Sequence, residues 1–492
     1  MRVRGDDVDF DSYRRHDAAG LAELVRKGEV TAAELRACAQ RRLEAVNPTI
    51  NAVVRRLERD TEEPHGERSG SFHGVPFLLK DLVQDVAGEP TSRGSRAYQG
   101  TPADVDATYT RRVRAAGMTL LGKTNTPELG LKAVTENRLF GATRNPWDTS
   151  RTPGGSSGGS AAAVSAGIVP MAGGNDGGGS IRIPASYCGL FGLRPSRGRV
   201  PAGPAVAEVW EGASSDHVLT RSVRDSAAML DVLRGADTGA PFEIAAPSGP
   251  YALAAHEPPG TLRIALCTES PVGGSVHPEC REAAEGAARL LESLGHELEP
   301  VTWPVDGMAL ADSFFKLYFG QVAAMARERR SRDFELDTRV LAMLGRSLNS
   351  AEYVAARERW NDFSRRMGQF FQRFDVFLTP TVAALPALIG ETDTPALERL
   401  LVRPFLWLRA GRLLMKAGVV EQLAFRSLRR TPFTQLANLT GSPAMSVPLH
   451  WTADGLPLGS HFQARFGDET TLFQLAAQLE QARPWFDRVA PL

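Results

Sequence analysis

Two serines 24 residues apart and one lysine are the residues whose type and setting best suit chemistry. Ser156 lies inside Gly154-Gly-Ser-Ser-Gly-Gly-Ser160, and Ser180 ends the run Gly177-Gly178-Gly179. Consecutive glycines let the backbone turn so that several N–H groups converge on one point. Such a nest suits the oxyanion of a tetrahedral intermediate, and a serine at its end is placed as a nucleophile. A serine needs a base. None of the nine histidines sits in a recognisable catalytic context, whereas Lys80 ends the apolar run Val75-Pro-Phe-Leu-Leu. A lysine buried there loses hydration of its ammonium, and its pKa falls toward a value at which the neutral amine accepts a proton. Asp176 and Arg182 flank the glycines and read as supports of the loop.

Other readings of these motifs fit less well. A flexible Gly/Ser linker would not be interrupted by the apolar helix up to Ala166, nor be followed by Tyr187-Cys-Gly-Leu-Phe-Gly-Leu193. Gly154-Gly-Ser-Ser-Gly158 has the form of a nucleophile elbow, but Trp147 to Pro153 before it is loop-like where that motif requires a strand. Gly117-Met-Thr-Leu-Leu-Gly-Lys-Thr124 has the form of a phosphate-binding loop, but its central residues read as strand, and Asn125-Thr-Pro follows where a helix should begin. No His/Cys/Asp/Glu spacing suggests a metal site, and no organic cofactor motif is present.

The elements that must carry these residues alternate. Thr31 and Glu34 form a capping-box pattern before Leu35, Ala39, Leu43 and Val46, in a helix expected to end at Pro48. Val75–Lys80 reads as a buried strand, with its charged residue at the end where α/β proteins commonly place catalytic groups. A helix-to-strand step is expected over Tyr109–Leu121, a strand at Leu262–Cys267 and a helix at Glu279–Leu294. A further strand is expected at Asp375–Leu378, stopped by Thr379-Pro380. Helices are expected to dominate 310–430, with strands at Ala444–Leu449 and Gly459–Arg465 and a helix near Leu472–Gln481. This alternation predicts an α/β fold in one large domain, 1–492. Its parts are N-terminal helices (1–70), a catalytic core (71–230), a helical substrate-pocket region with core strands (231–430) and a C-terminal return to the core sheet (431–492).

Composition narrows the class. The chain of 492 residues is 42% hydrophobic and carries 57 basic and 57 acidic residues, so no global field attracts nucleic acid. Cys38, Cys188, Cys267 and Cys280 have no paired spacing, which points to a reducing compartment. Without an apolar N-terminal core or a membrane-length run, the expectation is a cytoplasmic enzyme.

Taken together, these motifs resemble the amidase signature family along most of the chain. The matching pieces are Gly74-Val-Pro-Phe-Leu-Leu-Lys-Asp81, Leu121-Gly-Lys-Thr-Asn-Thr-Pro-Glu128, Asn145-Pro-Trp147, Gly154–Ser160, Gly177–Pro184, Gly192-Leu-Arg-Pro195, Leu378-Thr-Pro-Thr381 and Asn438-Leu-Thr-Gly441. The resemblance implies Ser180 as the acyl-forming nucleophile and Ser156, after a cis peptide, as the bridging serine. Lys80 is then the neutral base, and the amides of Gly177, Gly178, Gly179 and Ser180 form the oxyanion hole. It also implies a central mixed, twisted sheet surrounded by helices, with no metal or cofactor. Asn175 stands where many members have Thr, so the amide must replace a hydroxyl in the supporting network. The Asn-Asp-Gly-Gly-Gly-Ser form is similar to a subgroup with aryl acylamidase-like enzymes and 6-aminohexanoate cyclic-dimer hydrolases.

The implied activity is hydrolysis of a neutral apolar, aryl or cyclic amide, with a small-molecule partner. Two alternatives share the core: the glutamine-hydrolysing subunit of a tRNA-dependent amidotransferase, against which Ile183 counts because those subunits usually carry Gln there, and a non-catalytic scaffold. Leu400–Arg430 mixes Arg403, Arg409, Arg412, Lys416, Arg426, Arg429 and Arg430 with Phe405, Leu406, Trp407, Leu413, Leu414 and Met415. It reads as a lid over the acyl pocket, with weak membrane contact through 400–430 as the other reading. Trp210 and Glu211 are candidates to line the pocket. A homodimer is compatible with all of this.

Overall fold

The computed structural model describes residues 8–57, 70–327, 329–416 and 426–492. Thirteen strands are present among them: β1 Val53–Arg56, β2 Pro76–Lys80, β3 Thr119–Thr124, β4 Glu136–Asn137, β5 Gly141–Ala142, β6 Met171–Asp176, β7 Phe191–Arg194, β8 Ser215–Thr220, β9 Arg263–Leu266, β10 Glu297–Pro300, β11 Val376–Pro380, β12 Ala444–Trp451 and β13 Pro457–Ala464. Eleven form one mixed sheet in the order β1-β3-β2-β6-β8-β7-β12-β13-β11-β9-β10, and β4 and β5 pair separately. Parallel pairing joins β3, β2 and β6 at one side and β11, β9 and β10 at the other. The central pairs are antiparallel. Helices cover the sheet, as the expected α/β class requires. The parallel strands β2, β3 and β6 are buried at every residue, which is why they carry continuous apolar or small-residue runs rather than an alternating pattern.

Local expectations mostly hold, with instructive exceptions. The helix Ala32–Ile50 begins with both halves of the Thr31/Glu34 capping box. It does not end at Pro48: Pro48 lies in its last turn, and the helix stops when Asn51 takes φ 49°. A proline so close to the terminus removes one interior N–H without breaking the turns before it. Strand β11 likewise continues through Thr379-Pro380, paired to His461 and Ser460 of β13. Its other neighbour, β9, pairs only as far as Leu378, so the missing N–H of Pro380 leaves no ladder partner unmet. The apparent phosphate loop is a turn at Gly117 (φ 86°) leading into β3, where Lys123 is buried. Its amine donates to Thr91 Oγ1 at 2.6 Å and to the Pro90 carbonyl at 3.1 Å, so no cationic end faces a ligand.

The expected helical region comprises Gly307–Met325, Leu336–Ser347, Ser350–Arg373, Ala396–Leu408 and Gly411–Lys416. It contributes Phe314, Phe315, Phe319, Trp360 and Phe363 to an aromatic core that also takes in Phe377 of β11. Residues 417–425 of the basic stretch lie outside the described residues. Among the described residues no helix is long and apolar enough to cross a membrane.

Candidate active site

Parallel pairing puts the ends of β2 and β6 on the same edge of the sheet, and with them Lys80 and Asn175-Asp176. Strand β8 runs antiparallel to β6, so its first residues, Ser215 and Asp216, return to that edge. The chain between β3 and β6 crosses it as the loop holding Ser156, before the helix Gly158–Ser165. Ser180 follows β6 directly, before the helix Arg182–Cys188. The Gly155–Ser156 peptide is cis, and the Ser157 N–H donates to the Ser180 carbonyl at 3.2 Å, tying the two serine segments together.

Lys80 has 0% exposure, and its Nζ lies 2.7 Å from Ser156 Oγ, 3.0 Å from Ser157 Oγ and 2.7 Å from Asn175 Oδ1. Burial lowers its pKa to about 7, against the opposing pull of the Asp216 and Asp176 charges. Hydrogen counts fix the roles of these contacts. Asn175 Oδ1 can only accept, and Asn175 Nδ2 donates to the Leu82 carbonyl at 2.9 Å, which sets the amide's orientation. The Ser157 hydroxyl donates to the Asn175 carbonyl at 3.3 Å, so toward Lys80 it accepts. A neutral amine has two hydrogens and one lone pair. With both hydrogens directed to Asn175 and Ser157, the lone pair is left for the hydroxyl of Ser156.

The glycine run is held from below by Asp176 and Arg182, a fully buried ion pair at 2.8 Å. Burial alone would raise the Asp176 pKa, but the Arg182 guanidinium and its hydrogen bonds hold the carboxyl well below its usual range. Asp176 also accepts the N–H groups of Gly179 (2.8 Å) and Ile181 (3.0 Å) and Asn438 Nδ2 (2.9 Å). Arg182 reaches on to the Thr434 carbonyl (2.9 Å) and Asn438 Oδ1 (2.7 Å). The Gly179 N–H, expected to face an oxyanion, is therefore engaged by Asp176. Among the described residues the N–H groups of Gly177, Gly178 and Ser180 meet no protein acceptor. The nest is closely walled: a Cβ on Gly178 would lie 2.8 Å from Phe314 Cζ, and one on Gly179 (φ 120°) 2.3 Å from Thr434 Oγ1 and 2.8 Å from Ile183 Cδ1.

Ser156, Ser180, Gly177, Gly178 and Asn175 open into a cavity of about 930 Å³ whose walls include Trp210, Phe314, Phe315, Tyr318 and Leu341. The Trp210 and Tyr318 rings meet edge-to-face at 5.3 Å. Glu211 does not line the cavity with Trp210; its carboxylate is held by Tyr353 and by Arg357 Nε at 2.8 Å. Leu401, Val402, Phe405 and Leu414 of the two helices Ala396–Leu408 and Gly411–Lys416 form part of the rim. Sequence reading missed Ser157, which contacts Lys80, and Thr434, whose carbonyl accepts from Arg182. Ser157 sits in the quoted motif beside Ser156, but nothing in the residue string separates a relay hydroxyl from an accepting one.

Residues 34–473 match the Amidase family. The chain belongs to the amidase signature family. It is 38% identical over 491 residues to a 6-aminohexanoate-cyclic-dimer hydrolase of Paenarthrobacter ureafaciens, covering 96% of both chains. It superposes with TM-score 0.87 on a 6-aminohexanoate cyclic dimer hydrolase complexed with substrate, at 36% identity over 97% of this chain and 99% of that one. A bacterial aryl acylamidase of the family superposes with TM-score 0.82 at 26% identity, covering 97% and 99% of the two chains. Both likenesses read from the Asn-Asp-Gly-Gly-Gly-Ser segment thus recur over the whole fold.

Replacing Arg182 by Met is expected to leave Asp176 buried without its counter-charge and to lower unfolding free energy by about 3–5 kcal/mol in a urea titration. Replacing Gly179 by Ala puts a methyl group into Thr434 at a φ that L-residues rarely adopt, so activity is expected to collapse while the midpoint of unfolding moves much less than in the Arg182 variant.

Proposed function

We propose that this chain is a serine amidase that cleaves the carbon–nitrogen bond of neutral, largely apolar amides, linear or cyclic, through an acyl-enzyme on Ser180. The observation that carries this reading is the hydrogen count around Lys80, which leaves its lone pair for Ser156 and no other partner. In the proposed sequence Ser180 Oγ attacks the carbonyl carbon and gives its proton to Ser156, whose own proton passes to Lys80. The amides of Gly177, Gly178 and Ser180 stabilise the oxyanion, while that of Gly179 holds the loop on Asp176. Collapse of the tetrahedral intermediate breaks the C–N bond, and the proton returns from Lys80 through Ser156 to the departing amine. Water then enters, loses a proton along the same path and hydrolyses the ester.

The walls nearest the nest support the substrate class. Trp210, Phe314 and Ile183 pack directly against the nest glycines, which suits an uncharged apolar group beside the scissile carbonyl and not the paired charges of glutamine. Ile183 therefore counts against the amidotransferase reading in the fold as it does in the sequence. The presence of lysine, both serines and free nest amides counts against a scaffold. The relatives named for a cyclic amide dimer support including cyclic substrates.

Outside the cavity, Leu397, Leu400, Trp407 and Leu413 are 67%, 61%, 83% and 61% exposed beside Arg403 and Arg412. These exposed residues support the other reading of the stretch, weak membrane contact; co-sedimentation with anionic vesicles, with a blue shift of Trp407 emission, is the outcome that reading expects.

Ser180→Ala is expected to abolish turnover of an anilide or cyclic-amide panel and labelling by a fluorophosphonate, with the far-ultraviolet spectrum unchanged. Full turnover in that variant sinks the assignment. Lys80→Ala is expected to lose about 10²–10⁴-fold in kcat. Because the active form of Lys80 is the neutral amine, kcat/KM is expected to rise with pH and level off above about 7, falling about tenfold per unit below it. A rate independent of pH between 5 and 8 would exclude Lys80 as the base.

A further inference from the structure

We propose that Gln84 and Asp216 are positioning residues for Lys80, Gln84 fixing its backbone and Asp216 fixing Gln84 while supplying a negative charge beside the amine. The proposal rests on the amidase reading above.

The chain leaves β2 through a turn in which Val83 takes φ 69°, a left-handed conformation rarely adopted by a β-branched residue. That turn brings Gln84 back beneath the strand end. Gln84 Oε1 accepts the Lys80 N–H at 2.8 Å, and Gln84 Nε2 donates to the Gly174 carbonyl and to Asp216 Oδ1, both at 3.2 Å. Space is made for it in β6: a Cβ on Gly173 would sit 2.2 Å from Gln84 Oε1. The register of β6 and β8 sets Asp216 directly opposite Asn175, which holds the other end of Lys80. Lysine is thus fixed at backbone and tip from the same pair of strands.

The chemistry of the Gln84 amide explains the carboxylate. The amide can face Lys80 with oxygen or with NH2, and only the oxygen accepts the Lys80 N–H. On the far side the Gly174 carbonyl and the Asp216 carboxylate both accept from Nε2 and together select that orientation. The same charge favours the ammonium that forms on Lys80 when Ser180 attacks. The charged groups acting on Lys80 are Asp216 from β8 and Asp176 from β6; Asp85, in the turn, acts on Asp216. Asp176 is matched by Arg182, whereas the hydrogen bond to Asp216 comes from the neutral Gln84. Burial raises the Asp216 carboxyl, while the hydrogen bond from Gln84 and the Lys80 charge pull it back down.

The test compares pH–rate profiles of Asp216→Asn, Gln84→Ala and Ser180→Ala with the parent enzyme on one anilide. Asp216→Asn keeps the shape and removes the charge, so the ascending limb of kcat is expected to move to lower pH by about one unit, with KM within about twofold. Gln84→Ala is expected to lower plateau kcat about tenfold or more with KM little changed, and its result decides the question if the Asp216 variant does not fold. Unmoved limbs and parental kcat in the folded variants, with Ser180→Ala dead, overturn the positioning role and leave the amidase reading standing. An active Ser180→Ala overturns both.

Discussion

The site depends on a lysine held out of water at the end of a fully buried strand. An ammonium there has lost its hydration and touches no carboxylate, only two hydroxyls and an amide oxygen. Desolvation therefore brings its proton affinity to near neutrality, which is what a base needs at ordinary pH. The cost is that every neighbour must satisfy a buried polar group with correct geometry. The architecture meets this requirement by setting β2 and β6 parallel and adjacent, so that two strand ends supply the lysine and its amide acceptor Asn175 together, while the loop before the helix Gly158–Ser165 supplies Ser156 and Ser157.

The glycines answer a second constraint, which is space. Gly173 leaves room for Gln84, Gly174 for Leu219 and Ile181, and Gly178 and Gly179 for Phe314, Ile183 and Thr434. One stretch of chain thus admits neighbours on all sides and still leaves amides free at the nest. A loop with so little side chain has few contacts of its own, and the Asp176–Arg182 pair replaces them. Its role is to fix one conformation: the pair binds Gly179, Ile181, Thr434 and Asn438 at once, so the loop cannot shift without exposing a buried charge.

Much of this was legible before any fold was known. Ser156, Ser180 and Lys80 were readable because their neighbours are extreme, either glycines or an unbroken apolar run. Strand β6 was not, because Met-Ala-Gly-Gly-Asn-Asp has neither alternation nor β-branched residues; it is a strand because both neighbours require small residues there. Pro48 and Pro380 misled because a proline's effect depends on its place: Pro48 falls in a last turn, and Pro380 lies beyond the residues that β9 pairs. Asp216 and Gln84 were invisible for another reason. Asp216 meets Gln84 through a side-chain hydrogen bond across 132 positions, set by where β8 lies in the sheet, and no local pattern encodes that placement.

Two carboxylates act on one lysine, and the fold treats them oppositely. Asp176 is enclosed by a guanidinium and by N–H donors, which hold it ionised, and its charge is largely answered by Arg182. Asp216 is buried with the neutral Gln84 as hydrogen-bond donor, so its carboxyl is raised and its charge acts on Lys80. If both were left unmatched, the lysine would be held as an ammonium, unable to accept a proton. If both were matched, little would stabilise the ammonium once the proton arrived. In the proposed mechanism, matching one and not the other lets Lys80 give up its proton near neutral pH and regain it when Ser180 attacks. This is the separation of carboxylate environments by which acid–base sites assign their roles.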